Sequence, residues 1–355
     1  MDANLQVSSL LLAWYDKNGR KLPFRGVQDP YKIWLSEIML QQTRTETVGA
    51  YFNRLIRLFP DVFALANADE EQVLKAWEGL GYYSRARNLH ACAQKIVQEF
   101  GGEFPTRPEI WLKLPGIGPY TAAAVCSIAF DAPIPAMDGN LTRVFARLYD
   151  VRENVCIPSV KRRLNDLAKG CMPPARCGDF NQALMDLGAT ICRPGTPDCE
   201  ACPLKSLCIA YQEGSPEELP IMPIKTPPTV VPLNVLLITD GKKIHLVQRK
   251  EALLQGLYVF DLTGDAPDLF LKKSGIAANV SFLCHARHVF THRVWEMDLY
   301  LAKADALPHA MENSLYSLDE MCALPLPCAM KAARQEAIKH LTEANDEPIS
   351  VDRVL

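Results

Sequence analysis

The hydrophobic period of this chain changes once, and a proline-rich stretch marks the change. Residues 214–232, GSPEELPIMPIKTPPTVVP, carry prolines at 216, 220, 223, 227, 228 and 232. Proline removes a backbone donor and clashes with the preceding helical turn, so this density excludes a helix and describes an extended linker. Before it, from residue 5 to about 210, apolar residues recur at helical spacing. After it the spacing falls to two. Residues 233–239 and 244–248 flank Asp240-Gly241, a hairpin signal, and residues 293–301 set Trp295, Met297, Leu299 and Leu301 against Glu296 and Asp298. A last helix runs from residue 330 to about 342. At 355 residues the chain is long enough for two cores. The sequence therefore predicts an all-α domain over 1–212, a linker over 213–232 and an α+β domain over 233–355.

Punctuation within the first part supports the helical reading. Asp29-Pro30 reads as an N-cap followed by proline at the first helical position. Asp69 with Gln72 three residues on reads as a capping box. Gly79-Leu80-Gly81 and Gly101-Gly102 end helices. Leu114-Pro115-Gly116-Ile117-Gly118 is a tight turn between two helical stretches, and Asp138 precedes a helix from Gly139 to about Tyr149.

Charge is informative only when divided. The whole chain carries −3, but residues 1–212 hold 24 basic against 22 acidic side chains and the remainder 14 against 19. Arg143, Arg147, Arg152, Lys161, Arg162 and Arg163 form a local basic cluster. This asymmetry permits nucleic-acid binding by the first part and equally fits an ordinary solvated surface. The longest apolar run, residues 230–239, is broken by Pro232 and too short to span a bilayer. The N-terminus has no basic leader and no small-residue cleavage site, so a cytoplasmic protein is expected, with no membrane partner.

Twelve cysteines without a secretory signal argue against a disulfide framework. Four of them, Cys192, Cys199, Cys202 and Cys208, follow the spacing C-x6-C-x2-C-x5-C, and the others sit mostly among apolar neighbours. Four thiolates in a short loop suit tetrahedral zinc or an iron–sulfur cluster, and spacing alone leaves both open.

Three further features carry chemistry. The glycines of the 114–118 turn let the backbone approach another surface closely. The free N–H groups at the start of the next helix offer a phosphate site, although a plain interhelical turn explains the same residues. Glu37 has Ile33, Trp34 and Leu40 at i−4, i−3 and i+3, which puts its carboxyl on an apolar face. Burial there would keep it protonated near neutrality as a general acid, while a boundary position would leave its head in water. Asp138 reads as an N-cap, held ionised by backbone N–H groups and so able to stabilise developing positive charge.

These elements, in this order, resemble the helix-hairpin-helix DNA glycosylases that carry an iron–sulfur cluster, and the cysteine spacing matches theirs. Within that superfamily the chain resembles the MutY-type adenine DNA glycosylases. Their W-x-S-E-x-M-L-Q-Q-T reads here as Trp34 to Thr43. Residues 79–89, GLGYYSRARNL, and 180–188, FNQALMDLG, also match. Endonuclease III-like lyases have a catalytic lysine two residues after the last hairpin glycine, where this chain has Tyr120. Phe24 stands where the family has Trp in P-W-R, before Arg25. The C-terminal part resembles the family's 8-oxoguanine-recognition domain, a relative of Nudix folds. Residues 255–260, QGLYVF, match G-L-W-x-F, and Phe290-Thr291-His292 match F-S-H. No Nudix box of acidic residues follows Gly256.

The resemblance implies a helix-hairpin-helix core with a [4Fe–4S] cluster on the four cysteines, followed by a Nudix-like domain. It implies a monomeric, monofunctional enzyme that removes adenine opposite 8-oxoguanine or guanine from double-stranded DNA, in a bacterial cytoplasm at the nucleoid. Glu37 would protonate N7 of a flipped-out adenine and Asp138 would stabilise the oxocarbenium-like sugar. Tyr120, Asn140 and Gln182 would line the pocket. Gln42 and Tyr82 would wedge into the duplex, Leu114, Gly116 and Gly118 would form the phosphate-holding hairpin, and Arg25 would contact substrate. Phe290, Thr291 and His292 would read the base opposite.

Overall fold

The computed structural model describes residues 3–223 and 226–344; residues 224–225 of the predicted linker and 345–355 of the predicted second domain lie outside it. The chain divides into two compact units. One comprises residues 1–67 and 88–225, the other 68–87 and 226–355.

Helices build the first unit: α1 (Ala3–Asn18), α2 (Pro30–Leu40), α3 (Thr45–Leu58) and α4 (Val62–Asn67). After α5 (Glu70–Ala76), which belongs to the second unit, come α6 (Ser84–Phe100), α7 (Pro108–Trp111), α8 (Pro119–Phe130), α9 (Gly139–Leu148), α10 (Pro158–Gly170), α11 (Cys177–Thr190) and α12 (Ile209–Gln212). The caps act as the sequence suggests. Asp29 accepts from the Tyr31 N–H at 3.0 Å, and Asp69 and Gln72 form the capping box at α5. Helix α8, PYTAAAVCSIAF, is buried from Thr121 to Ser127 and packs against α2 and α11. Its run of alanines admits those neighbours closely. Leu141, Val144, Phe145 and Leu148 turn one face of α9 into a core shared with Phe180, Leu184 and Leu187 of α11 and Leu11 of α1. Each large side chain buried this way is worth about 1.5–3 kcal/mol.

The second unit is built on a six-stranded sheet in the order β6-β7-β1-β2-β8, with β5 pairing β1 on the side of β2. Its strands are β1 (Thr229–Thr239), β2 (Ile244–His245), β5 (Asp261–Thr263), β6 (Ala278–Val289), β7 (Arg293–Ala304) and β8 (Leu315–Tyr316). Strands β3 (Val247–Gln248) and β4 (Tyr258–Val259) make a separate ribbon. Helices α13 (Pro267–Lys273), α14 (Leu318–Ala323) and α15 (Lys331–Ala344) complete the unit. Ala333, Ala337, Ile338 and Leu341 of α15 share a core with Trp295, Met297 and Leu299, the face read from the alternation of β7. The hairpin at Asp240-Gly241 forms, with the Asp240 carboxylate accepting from the N–H groups of Lys242 and Lys243.

Three features depart from the sequence expectations. Strand β1 starts at Thr229, inside the expected linker, and pairs in parallel with β7 from Thr229↔Arg293 onward. Pro232 is tolerated there because β5 joins the other side of β1 only from Asn234, so at the proline the strand has a neighbour on one side. The expected strand at 244–248 splits between two sheets. Residues 68–87 group with the second unit, where the Lys75 ammonium donates to the carbonyls of Cys322 and Leu324 and Arg87 donates to the carbonyl of Gln255. Among the described residues no helix is long and apolar enough to cross a membrane.

Candidate active site

The candidate site lies in the first unit, where α2, α8, α9 and α11 bring their polar groups together. Helix α2 is buried from Ile33 to Met39, so Glu37 on it is forced inside and is 3 % exposed. An ionised carboxylate in such a place loses several kcal/mol of hydration. Burial raises the Glu37 pKa, opposed by a hydrogen bond from Tyr120 and by the charge of Arg25, and reinforced by Asp138. The Tyr120 hydroxyl, in the first turn of α8, donates to Glu37 Oε2 at 2.6 Å. Of the two positions left open for Glu37, buried or at the boundary with its head in water, the structure shows the buried one.

Asp138 caps α9, its Oδ1 accepting from the Leu141 N–H at 2.7 Å and its Oδ2 from Asn140 Nδ2 at 2.8 Å. Burial still pushes its pKa up, against those hydrogen bonds and the charge of Arg143. Capping alone suggested an unperturbed or lowered value; desolvation outweighs it. Asn140 is itself held, its Oδ1 accepting from Arg143 Nη2 at 2.8 Å, and Arg143 Nε donates to the carbonyl of Cys192 at 2.8 Å.

Gln182, on the buried face of α11, accepts from the Tyr15 hydroxyl at 3.3 Å. Arg25 lies 3.5 Å from the carboxylate of Asp186, which also takes the Arg20 N–H and guanidinium. Arg25 Nε is buried and has no hydrogen-bond partner among the described residues. Two supports escaped the sequence reading although they sit in the quoted FNQALMDLG. Asp186, 0 % exposed, anchors both arginines. Asn181 accepts from the Ala136 N–H and donates to the Ile134 carbonyl and Ser127 Oγ, which pins the segment leading to Asp138. Their signal was a polar residue inside an apolar helix.

Gln42 is exposed just beyond α2 in the left-handed region, at φ +59°. The turn of Leu114, Gly116 and Gly118 separates α7 from α8. Leu114 and Ile117 are buried beneath it, and Gly116, at φ +72°, has Asn88 so close that a Cβ would fall 2.6 Å from the asparagine Cβ. Gly118 caps α8.

Cys192, Cys199, Cys202 and Cys208 are free, half-buried thiols in the loop after α11. Arg147, 2 % exposed, donates from Nη1 to Cys192 Sγ at 3.3 Å and to the Arg193 carbonyl at 2.8 Å. Two members of the expected basic cluster, Arg143 and Arg147, are thus internal struts rather than a surface patch; Arg152 and Arg163 are paired with acids. Burial pushes Cys202 up to about 12, helped by Cys192, Cys208 and Cys199, so the thiols lie within electrostatic reach of one another. Among the described residues no three His, Cys, Asp or Glu side chains group as around one metal ion.

In the second unit, Tyr82 stands in the left-handed region at φ +47°, 48 % exposed. Its hydroxyl lies 3.1 Å from Thr291 Oγ1. Both line a cleft of about 520 Å³ with Phe290, His292, Leu254 and Cys328. Thr291 and His292 are exposed at the β6–β7 turn, while the Phe290 ring packs edge-on against Trp295 at 4.9 Å.

A family profile described as HhH-GPD superfamily base excision DNA repair protein matches residues 35–173, from within α2 to just past α10. Over those residues the chain is similar to that superfamily. Similar proteins include the adenine DNA glycosylase of Mus musculus, 44 % identical over 224 residues, which are 61 % of this chain and 44 % of that protein. The adenine DNA glycosylase of Buchnera aphidicola subsp. Schizaphis graminum is 42 % identical over 207 residues, 58 % of this chain and 60 % of that one. The chain thus spans under half the length of the mammalian relative. Among solved structures, a thermostable thymine-DNA glycosylase is similar with a TM-score of 0.55 and 29 % identity, covering 59 % of this chain and 97 % of that one.

Proposed function

We propose that this chain is a monofunctional adenine DNA glycosylase that acts on adenine opposite 8-oxoguanine or guanine in duplex DNA. The observation that carries the reading is the buried Glu37, hydrogen-bonded by Tyr120, within electrostatic reach of the capped Asp138. A buried protonated acid and a nearby carboxylate are the two groups that cleavage of a glycosidic bond needs. Glu37 gives its proton to adenine N7, and the C1′–N9 electrons leave with the base. Asp138 faces the positive sugar, and water completes the hydrolysis. Position 120 holds no lysine, so no Schiff base forms. Incubation with a duplex containing one A:8-oxoguanine pair is expected to release free adenine and to leave the strand intact until alkali is added. No adenine, or a borohydride-trapped protein–DNA crosslink, would overturn the reading.

The four loop cysteines are proposed to hold a [4Fe–4S] cluster. The donor set is all thiol, and a cubane puts each thiolate on a different iron, so its ligands need not converge on one point as zinc ligands do. Arg147 and the main chain around Cys192 would orient the first ligand. The cluster supplies structure, and no step of base removal passes through it. Purified protein is expected to be brown with about four irons per chain, and Cys199→Ser to lose iron, soluble yield and DNA affinity together. A colourless, zinc-loaded and fully active protein would contradict this.

The second unit is proposed as a Nudix-like domain that reads the base opposite adenine through Phe290, Thr291 and His292, with Tyr82 as a wedge. Thr291, whose hydroxyl also pairs with that of Tyr82, and His292 are exposed at the turn where a purine edge would meet them, whereas Phe290 supports the turn from below. Thr291→Ala with His292→Ala is expected to weaken binding to A:8-oxoguanine by about 1–3 kcal/mol per lost contact and binding to A:guanine much less. Equal losses in a binding titration would remove the recognition role.

A further inference from the structure

We infer that Gly188 is a positioning residue for Asp138: lacking a side chain, it lets α11 approach α9 closely enough to hold the Asn140 amide against that carboxylate. The inference rests on the proposed role of Asp138 opposite the reacting sugar. A Cβ on Gly188 would fall 2.6 Å from Asn140 Cβ and 3.1 Å from its Cγ and Oδ1, closer than carbon atoms pack. Gly188 lies inside α11 with an ordinary helical backbone, so conformation does not require glycine there. In a helix interior glycine costs about 1 kcal/mol against alanine, and local preference therefore runs against it. Space is what it provides.

Asn140 has no room to yield. Its Nδ2 donates to Asp138 and its Oδ1 accepts from Arg143 Nη2. The same Nη2 donates to the Gly188 carbonyl at 2.7 Å. One guanidinium therefore ties α9 to α11 at the point where the missing side chain closes the gap. A methyl group at 188 must turn the Asn140 amide, which breaks its hydrogen bond to Asp138, or part the helices, which pulls the Gly188 carbonyl from the Arg143 guanidinium that holds that amide in place. That bond favours the ionised carboxylate, so its loss leaves Asp138 harder to ionise.

The test is single-turnover adenine release by Gly188→Ala across pH, with duplex binding and thermal melting alongside. The rate is expected to fall about 10²-fold, as small displacements of a reacting group do. Its acid limb should move to higher pH, while affinity for the A:8-oxoguanine duplex stays within about twofold. Asn140→Gly removes the obstructed side chain at its own cost in rate. In that background Gly188→Ala should change the rate by less than about twofold. Equal losses in both backgrounds, or a wild-type rate and acid limb in Gly188→Ala, overturn the inference. If Gly188→Ala alone fails to fold, the double variant should recover soluble, folded protein; a double variant that also misfolds overturns it too. An unaltered chain that releases no adenine overturns the functional reading first, and this inference with it.

Discussion

Glu37→Gln is expected to abolish adenine release while leaving binding to an A:8-oxoguanine duplex nearly intact. The amide has the size of the acid and still accepts from the Tyr120 hydroxyl, so the fold and the pocket survive. What is lost is the proton. Removing a positioned acid costs about 10²–10⁴ in rate. The pH dependence supports the same assignment with a definite sign. Glu37 acts when protonated, so the wild-type rate falls as pH rises through its raised pKa. Asp138 acts when ionised, so the rate falls as pH drops through its raised pKa. The profile is expected to be bell-shaped, with both limbs above the ordinary carboxylate range, and the alkaline limb should vanish from any residual activity of Glu37→Gln. Wild-type-like single-turnover rates in the variant would remove Glu37 from the mechanism.

Asp138→Asn is expected to be impaired to a similar degree, because the positive sugar loses its counter-charge, a term worth about 10²–10³ in comparable electrostatic sites. The fold should hold. Asparagine caps a helix about as well as aspartate, so the bond from the Leu141 N–H is kept. The other side of the group is less forgiving. An amide nitrogen in place of Oδ2 meets the Asn140 Nδ2, donor against donor, at a cost of about 1 kcal/mol. Melting temperature should therefore drop slightly while the rate collapses. A variant that unfolds outright would mean that Asp138 matters as a cap and not as a charge.

Much of the site was legible in the sequence because its parts are local. The apolar neighbours of Glu37 at i−4, i−3 and i+3 lie on one helical face by geometry alone, and the structure buries that face. Asp138 followed by a helix is a cap whatever surrounds it. The period change across residues 213–232 separates helices from strands because the two structures repeat differently. By contrast, the strand at Ala278–Val289 left no mark. Its alternation, Ala-Asn-Val-Ser and then Cys-His-Ala-Arg, is interrupted by a bulge between Phe282 and Cys284, and none of its positions is fully buried, so no unbroken apolar face announces it.

The sequence by itself determined the helical class of residues 3–212, the caps, Asp138 among them, the hairpin at Asp240-Gly241, the packed face of β7 and the apolar helix face that carries Glu37. Tertiary structure decided what depends on residues far apart in the chain. The parallel pairing of β1 with β7 joins positions more than sixty residues apart. Arg143 and Arg147 look like a basic patch in the sequence, yet packing turns them inward onto the carbonyls and thiol that flank α11. Asp138 looks like an ordinary ionised cap, yet desolvation by helices folded over it raises its pKa. The physical reason is the same in each case. Periodicity and capping are set by bonds a few residues long, whereas burial, register and the partner of a buried charge are set by which distant surfaces meet.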